Sequence, residues 1–164
     1  MFRTPAFSLA LLSLLAVSCV KPPEANPFVG TWKLVSIERR HADGSLVPGV
    51  NPVGGVDPTG IVMYDAAGHV SLQIMPSGRA QTVNTLQPLT VEQAQAALFG
   101  CVMYYGTYTL DQAKRIMTIH FDGALSPSMI GTTGQRFYEI NGNRMSFRPS
   151  LESGANLLTW ERVG

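Results

Sequence analysis

Met63, Gln73, Met75, Tyr105, Tyr108, His120 and Arg136 are the side chains of this sequence best suited to holding a small molecule. Methionine adapts to irregular ligands, and a phenol ring offers an apolar body with one polar handle. Met103, Met117, Met129, Tyr64, Tyr104, Phe121, Phe137 and Tyr138 extend the same soft, aromatic-rich character, which reads as an apolar interior with one or two polar anchors. The competing reading is that these residues fill a core completely and leave no space for a ligand. Gln73, His120 and Arg136 are the polar candidates, expected inside or at the opening. Arg136 suits a carboxylate or phenolate bidentately, or forms a strut with Glu139 or Glu161. His120 shares a strand face with Ile116, Thr118 and Asp122, opposite the more apolar Met117, Ile119 and Phe121. Period-2 alternation therefore aims it outward, with an acid/base or ligand-orienting role as the alternative.

No catalytic residue is assigned. There is no Gly-x-Ser-x-Gly, no His-Glu-x-x-His and no phosphate-cradling loop. Gly131-Thr132-Thr133-Gly134 lacks a following lysine and helix, so it reads as a loop before a strand. His41, His69 and His120 have neither paired spacing nor a cysteine cluster, and no metal, haem or other cofactor is expected.

Three kinds of element must position these residues. Met1-Phe2-Arg3 leads into the uncharged run Ala6–Val17, too short to span a bilayer and of signal-peptide form. Leu15-Ala16-Val17-Ser18-Cys19 resembles a bacterial lipobox, so residues 1–18 are read as a signal peptide and Cys19 as the acylated new N-terminus. Ordinary cleavage before an incidental Cys19 is the alternative. Two or more acyl chains anchor firmly where one binds only marginally. Val20 stands where an aspartate would signal inner-membrane retention, so the expected location is the outer membrane, facing the periplasm, with secretion as the alternative. Cys101 is then a lone thiol. Residues 19–27 form a lipidated, Pro-rich tether, and residues 28–164 form one domain. Removing residues 1–18 takes away Arg3 and no acid, leaving eleven Lys+Arg against eleven Asp+Glu. A neutral chain carries no nucleic-acid footprint. The oligomeric state is not legible.

Within the domain, strand-like runs cover Val29–Arg40, Gly60–Tyr64, His69–Met75, Met103–Leu110, Arg115–Asp122, Gly134–Asn141, Arg144–Arg148 and Asn156–Val163. Asp65–Gly68, Asp111–Lys114 and Asn141-Gly142-Asn143 are short hairpin signals, which force antiparallel neighbours. The Gly- and Pro-rich stretch Ala42–Pro58 reads as a loop at the mouth. Thr90-Val91-Glu92-Gln93 has the capping-box form and opens one short helix that Gly100 stops. That helix is expected as a lid over one opening or packed on the outer wall, where Val35 and Ile37 would receive it.

Gly30-Thr31-Trp32 at the first strand and Arg162 at the last form a ring-closing pattern that resembles a lipocalin-type barrel. An even number of antiparallel strands brings the start of the first beside the end of the last, so Trp32 and Arg162 become neighbours. Leu158, Trp160 and Arg162 share one face, and a guanidinium over an indole gains about 0.5–2 kcal/mol. With Gly60–Met75, Tyr105–Tyr108, Ile130–Phe137 and Leu158–Arg162, the pattern resembles the bacterial lipocalin-like domain family over nearly all of Phe28–Gly164. The resemblance implies an all-β fold, an antiparallel up-and-down barrel of about eight strands with one short helix, in which Gly30, Trp32, Trp160 and Arg162 close one end. It also implies a small hydrophobic molecule as partner, bound, stored or carried. Two alternatives stand beside that binding role: an isomerase- or cyclase-type enzyme working through His120 or a tyrosine, and a structural or interaction module with a filled barrel.

Overall fold

The computed structural model describes residues 25–41, 43–49, 53–79, 86–149 and 155–164. The expected signal peptide and Cys19 lie outside the described residues. Eight strands follow in chain order: β1 (Gly30–Arg40), β2 (Thr59–Tyr64), β3 (His69–Met75), β4 (Val102–Asp111), β5 (Ile116–Ala124), β6 (Thr133–Asn141), β7 (Arg144–Arg148) and β8 (Ala155–Arg162). Each pairs antiparallel with the next, and β8 returns to pair with β1, closing the barrel. Closure leaves no free sheet edge.

The hairpins form where turn chemistry dictates. Asp65 Oδ1 accepts the backbone N–H of His69 at 2.7 Å, and Lys114 donates its backbone N–H to Asp111 Oδ1 at 3.0 Å. Asn141 pairs with Arg144 across the two-residue loop Gly142-Asn143, whose glycine supplies the positive φ of +56° that such loops need. These three hairpins and residue 25 gather at one end, here the floor. The strand ends joined by the longer β1–β2, β3–β4, β5–β6 and β7–β8 connections gather at the other, the mouth.

Alternation fills the interior with Trp32, Val62, Ile74, Met117, Ile119, Met145 and Trp160, all nearly or fully buried. Each such side chain contributes about 1.5–3 kcal/mol relative to exposure. Two bulges break the alternation. The register shifts between Leu34 and Ser36, which turns Ile37 inward against the core and leaves Val35 outside. Ile37 is therefore an interior residue, not an outer docking point. A second shift lies between Tyr105 and Gly106, opposite Phe121 and Gly123.

The helix α1 (Val91–Leu98) starts at Thr90 with both capping-box bonds formed. Gly100, at φ +76°, ends it. Its C-terminal turn is held at the mouth: Gly54 donates to the Gly100 carbonyl at 2.9 Å, and Arg79 Nη2 donates to the Ala97 carbonyl at 2.7 Å. Cys101 is half-buried, with its thiol 3.5 Å from the same Ala97 oxygen.

Candidate functional site

The floor is sealed by the first described residues. Phe28 is fully buried and meets Tyr138 edge-on at 4.8 Å, with Tyr64 at 5.9 Å and Phe147 at 5.8 Å between ring centroids. Trp32 Nε1 donates to the Phe28 carbonyl at 2.8 Å and so fixes where that plug sits. The Arg162 guanidinium lies 4.1 Å from the Trp32 ring centroid and donates to the Val29 carbonyl at 2.7 Å and the Pro27 carbonyl at 2.6 Å. Gly30 makes this approach possible: a Cβ there would sit 2.7 Å from Arg162 Nη1, and its φ of +128° is one L side chains rarely adopt. Tyr108 belongs to the same closure. Its hydroxyl donates to the Asp65 carbonyl at 3.0 Å and accepts from Asn26 Nδ2 at 2.7 Å, so the protein already satisfies it.

Of the seven expected ligand residues, strand parity turns Tyr108 and Arg136 inward and the other five outward. Met63 sits between inward Val62 and Tyr64, and Gln73 between inward Leu72 and Ile74. Met75 caps the same outer row, its sulfur 3.2 Å from Arg79 Nη1. Tyr105 is 60% exposed, its ring lying over Gly123, where an added Cβ would come within 2.3 Å of it. His120 Nε2 faces Asp122 Oδ1 at 3.5 Å on the outer wall. Met63, Gln73 and Tyr105 line two open hollows on the barrel's outside, not its lumen. Met103 and Phe137, expected in the apolar interior, share that outward parity.

Mouthward of the floor the interior is aromatic and basic. Arg136 stands one inward step above Tyr138 on β6, with Gly134 above it. A Cβ on Gly134 would lie 3.0 Å from the Phe121 ring and 3.2 Å from Arg136 Nη1, so the bare backbone leaves room for ring and guanidinium side by side. Phe121 meets Tyr104 edge-on at 4.9 Å, and Tyr64 meets Tyr108 at 5.0 Å. Burial pushes the Tyr104 phenol up to about 12 and that of Tyr64 well above its ordinary value; the Arg136 charge opposes both shifts. Both phenols are therefore neutral O–H donors across the physiological range.

Arg136 pairs with neither Glu139 nor Glu161. Glu139 lies 4.0 Å from Arg148, and among the described residues Arg136 donates from Nη1 to the Gln135 carbonyl at 2.9 Å. The hydroxyls of Tyr64 and Tyr104 have no hydrogen-bond partner among the described residues. Neither is sealed: Asn156 Oδ1, on the inward face of β8, is the unpartnered side-chain polar atom fully closed off among them. Phe28, Asn26 and Asn156 carry no sequence periodicity that marks them. Tyr64, Tyr104 and Phe121 are marked by parity with their apolar strand neighbours. Among the described residues no group of three or more His, Cys, Asp or Glu is placed to hold a metal ion.

A closed eight-stranded meander, plugged at one end and bearing its long connections at the other, defines a lipocalin-type β-barrel. The lipocalin-like domain family model matches residues 29–163, and the chain belongs to that family. No curated protein matches the chain. A barrel of this kind fits a small-molecule binding role.

Proposed function

We propose that this protein is an envelope lipoprotein that binds, stores or carries a small hydrophobic molecule in the mouthward half of its barrel. The observation that carries the reading is the state of two phenols. Tyr64 and Tyr104 are 5% and 8% exposed, yet no described residue bonds either hydroxyl, and neither is among the unpartnered atoms that are fully closed off. A hydroxyl that the protein leaves unbonded without closing it off opens onto space that water or a ligand oxygen can occupy. A solidly filled barrel would pair or close off both. The floor is occupied by Phe28, so the ligand enters past the long connections of the mouth.

Cys19, following Leu15-Ala16-Val17-Ser18, supplies the membrane anchor by acylation, and the sequence from Lys21 to Pro27 the spacer. Val20 directs the protein to the outer membrane, facing the periplasm. A catalytic role through His120 gains no support, because that side chain stands on the outer wall beside Asp122.

Native mass spectrometry of the full chain extracted from the envelope tests the binding reading. A co-purifying small molecule, or uptake of a fluorescent fatty acid, is expected; neither being found rejects it. The anchor has its own test, since Cys19→Ala should move the protein from the membrane to the soluble fraction, and persistence in the membrane rejects acylation.

A further inference from the structure

We propose that the molecule held in the barrel is an amphiphile with an oxyanion head, a carboxylate or phosphate, which Arg136 engages by ion pairing and Tyr104 and Tyr64 by hydroxyl donation. This rests on the binding reading above and names the chemistry of the ligand. The site is a cation with two neutral donors and, among the described residues, no counter-ion. Arg136 lies on the inward face of β6, half-buried, against Phe121 and within reach of the field that acts on both phenols. No described Asp or Glu is buried. Those on the strands, Glu38, Asp111, Asp122, Glu139 and Glu161, sit at outward positions, Asp111 at the floor end of β4.

The Arg136 guanidinium is half-buried, its bond to the Gln135 carbonyl is open to solvent, and the described residues take up little of its donor capacity. It presents a planar fork of donors that matches an oxyanion bidentately. The two phenols supply further O–H donors, and each is more than nine-tenths buried and unpartnered among the described residues. Beside this donor set lies the Phe121 ring, edge-on to Tyr104 at 4.9 Å, which suits an alkyl or aromatic body. Two further arginines have inward parity: Arg162 is excluded because Val29, Pro27 and Trp32 already engage it, and Arg39, opposite Asn156 across β1 and β8, is not without a partner either.

The test is binding of two probes by the full chain in phosphatidylcholine nanodiscs, with empty nanodiscs subtracted: dansylaminoundecanoic acid and its methyl ester, read by energy transfer from tryptophan. A charge-assisted contact predicts that the acid binds about tenfold to a hundredfold tighter than the ester. Arg136→Gln should abolish that preference while ester binding persists, and Arg148→Gln, on the outer wall, should leave it intact. Tyr104→Phe should weaken the acid severalfold without moving the ester, and it carries the test if the arginine variant does not fold. Displacement by laurate against dodecyl phosphate tells which head the site prefers. Equal binding of acid and ester by the unaltered protein, or a preference that survives both Arg136→Gln and Tyr104→Phe, overturns the proposal and leaves the binding reading standing. Binding of neither probe overturns the proposal together with that reading.

Discussion

Replacing Arg162 with methionine should unfasten the floor while keeping the bulk of the side chain. Its guanidinium lies 4.1 Å from the Trp32 centroid, a half-exposed cation–π contact worth about 1 kcal/mol. The bond to the Val29 carbonyl, at 2.7 Å, is partly buried, and losing it leaves an acceptor unmet at about 1.5 kcal/mol. The bond to Pro27, at 2.6 Å, is exposed, so water takes most of it over and the loss is about 0.5 kcal/mol. Together these predict a destabilisation of about 3 kcal/mol, which at a typical urea slope of about 2 kcal/mol/M lowers the unfolding midpoint by about 1.5 M. Arg162→Lys should recover part of this, because an ammonium keeps the charge but cannot fork across two carbonyls over an indole. Equilibrium urea unfolding of the full chain, followed by circular dichroism, gives both numbers. A methionine variant within about 0.5 kcal/mol of the unaltered protein, or a lysine variant no better than methionine, would refute the reasoning.

Gly30→Ala should destabilise by about 1–3 kcal/mol, measured as a lower thermal midpoint, because it combines an unfavourable φ with a clash against Arg162 Nη1. Stability should also fall at alkaline pH. The folded Tyr104 keeps its proton to about 12 while the unfolded phenol loses it near 10, so its contribution is complete below about pH 10 and is lost at up to about 1.4 kcal/mol per pH unit as pH rises toward 12. Tyr104→Phe should flatten that limb of a urea-versus-pH series, and an unchanged slope would count against the burial of the phenol. His120→Ala should leave fatty-acid binding unchanged in a fluorescence titration, since its ring faces Asp122 outside the barrel; a large loss would place the site on the outer wall.

The strand order, the hairpins, the capping box and the Trp32–Arg162 neighbourhood follow from local rules that the sequence displays directly. Five of the seven candidate ligand residues face outward, because choosing by chemical type ignores parity, while Tyr108 and Arg136 face inward. Met63 and Tyr105 look like interior residues by composition, yet each is flanked by residues that the neighbouring strands bury, Val62 and Tyr64 for one and Tyr104 for the other. Tyr104 and Tyr105 are adjacent and identical, and the pairing of Leu72 with Tyr104 decides which enters the lumen. Ile37 fails for a different reason: the bulge after Leu34 inserts one residue and reverses the faces beyond it, and no turn-type residue announces that bulge. Phe28 precedes the first strand, where no period exists to assign it inward.

Because the chain enters at the plugged end, through Asn26 on Tyr108 and Phe28 in the lumen, anything that holds the protein by its N-terminus holds it base-first. The mouth is then the end of the barrel farther from the point of attachment, and on the binding function proposed above that is the end at which a ligand would be exchanged. Tension along the N-terminal segment acts first on Asn26, on the Arg162 fork and on Phe28, which makes the cork, not the sheet, the part that yields to a pull.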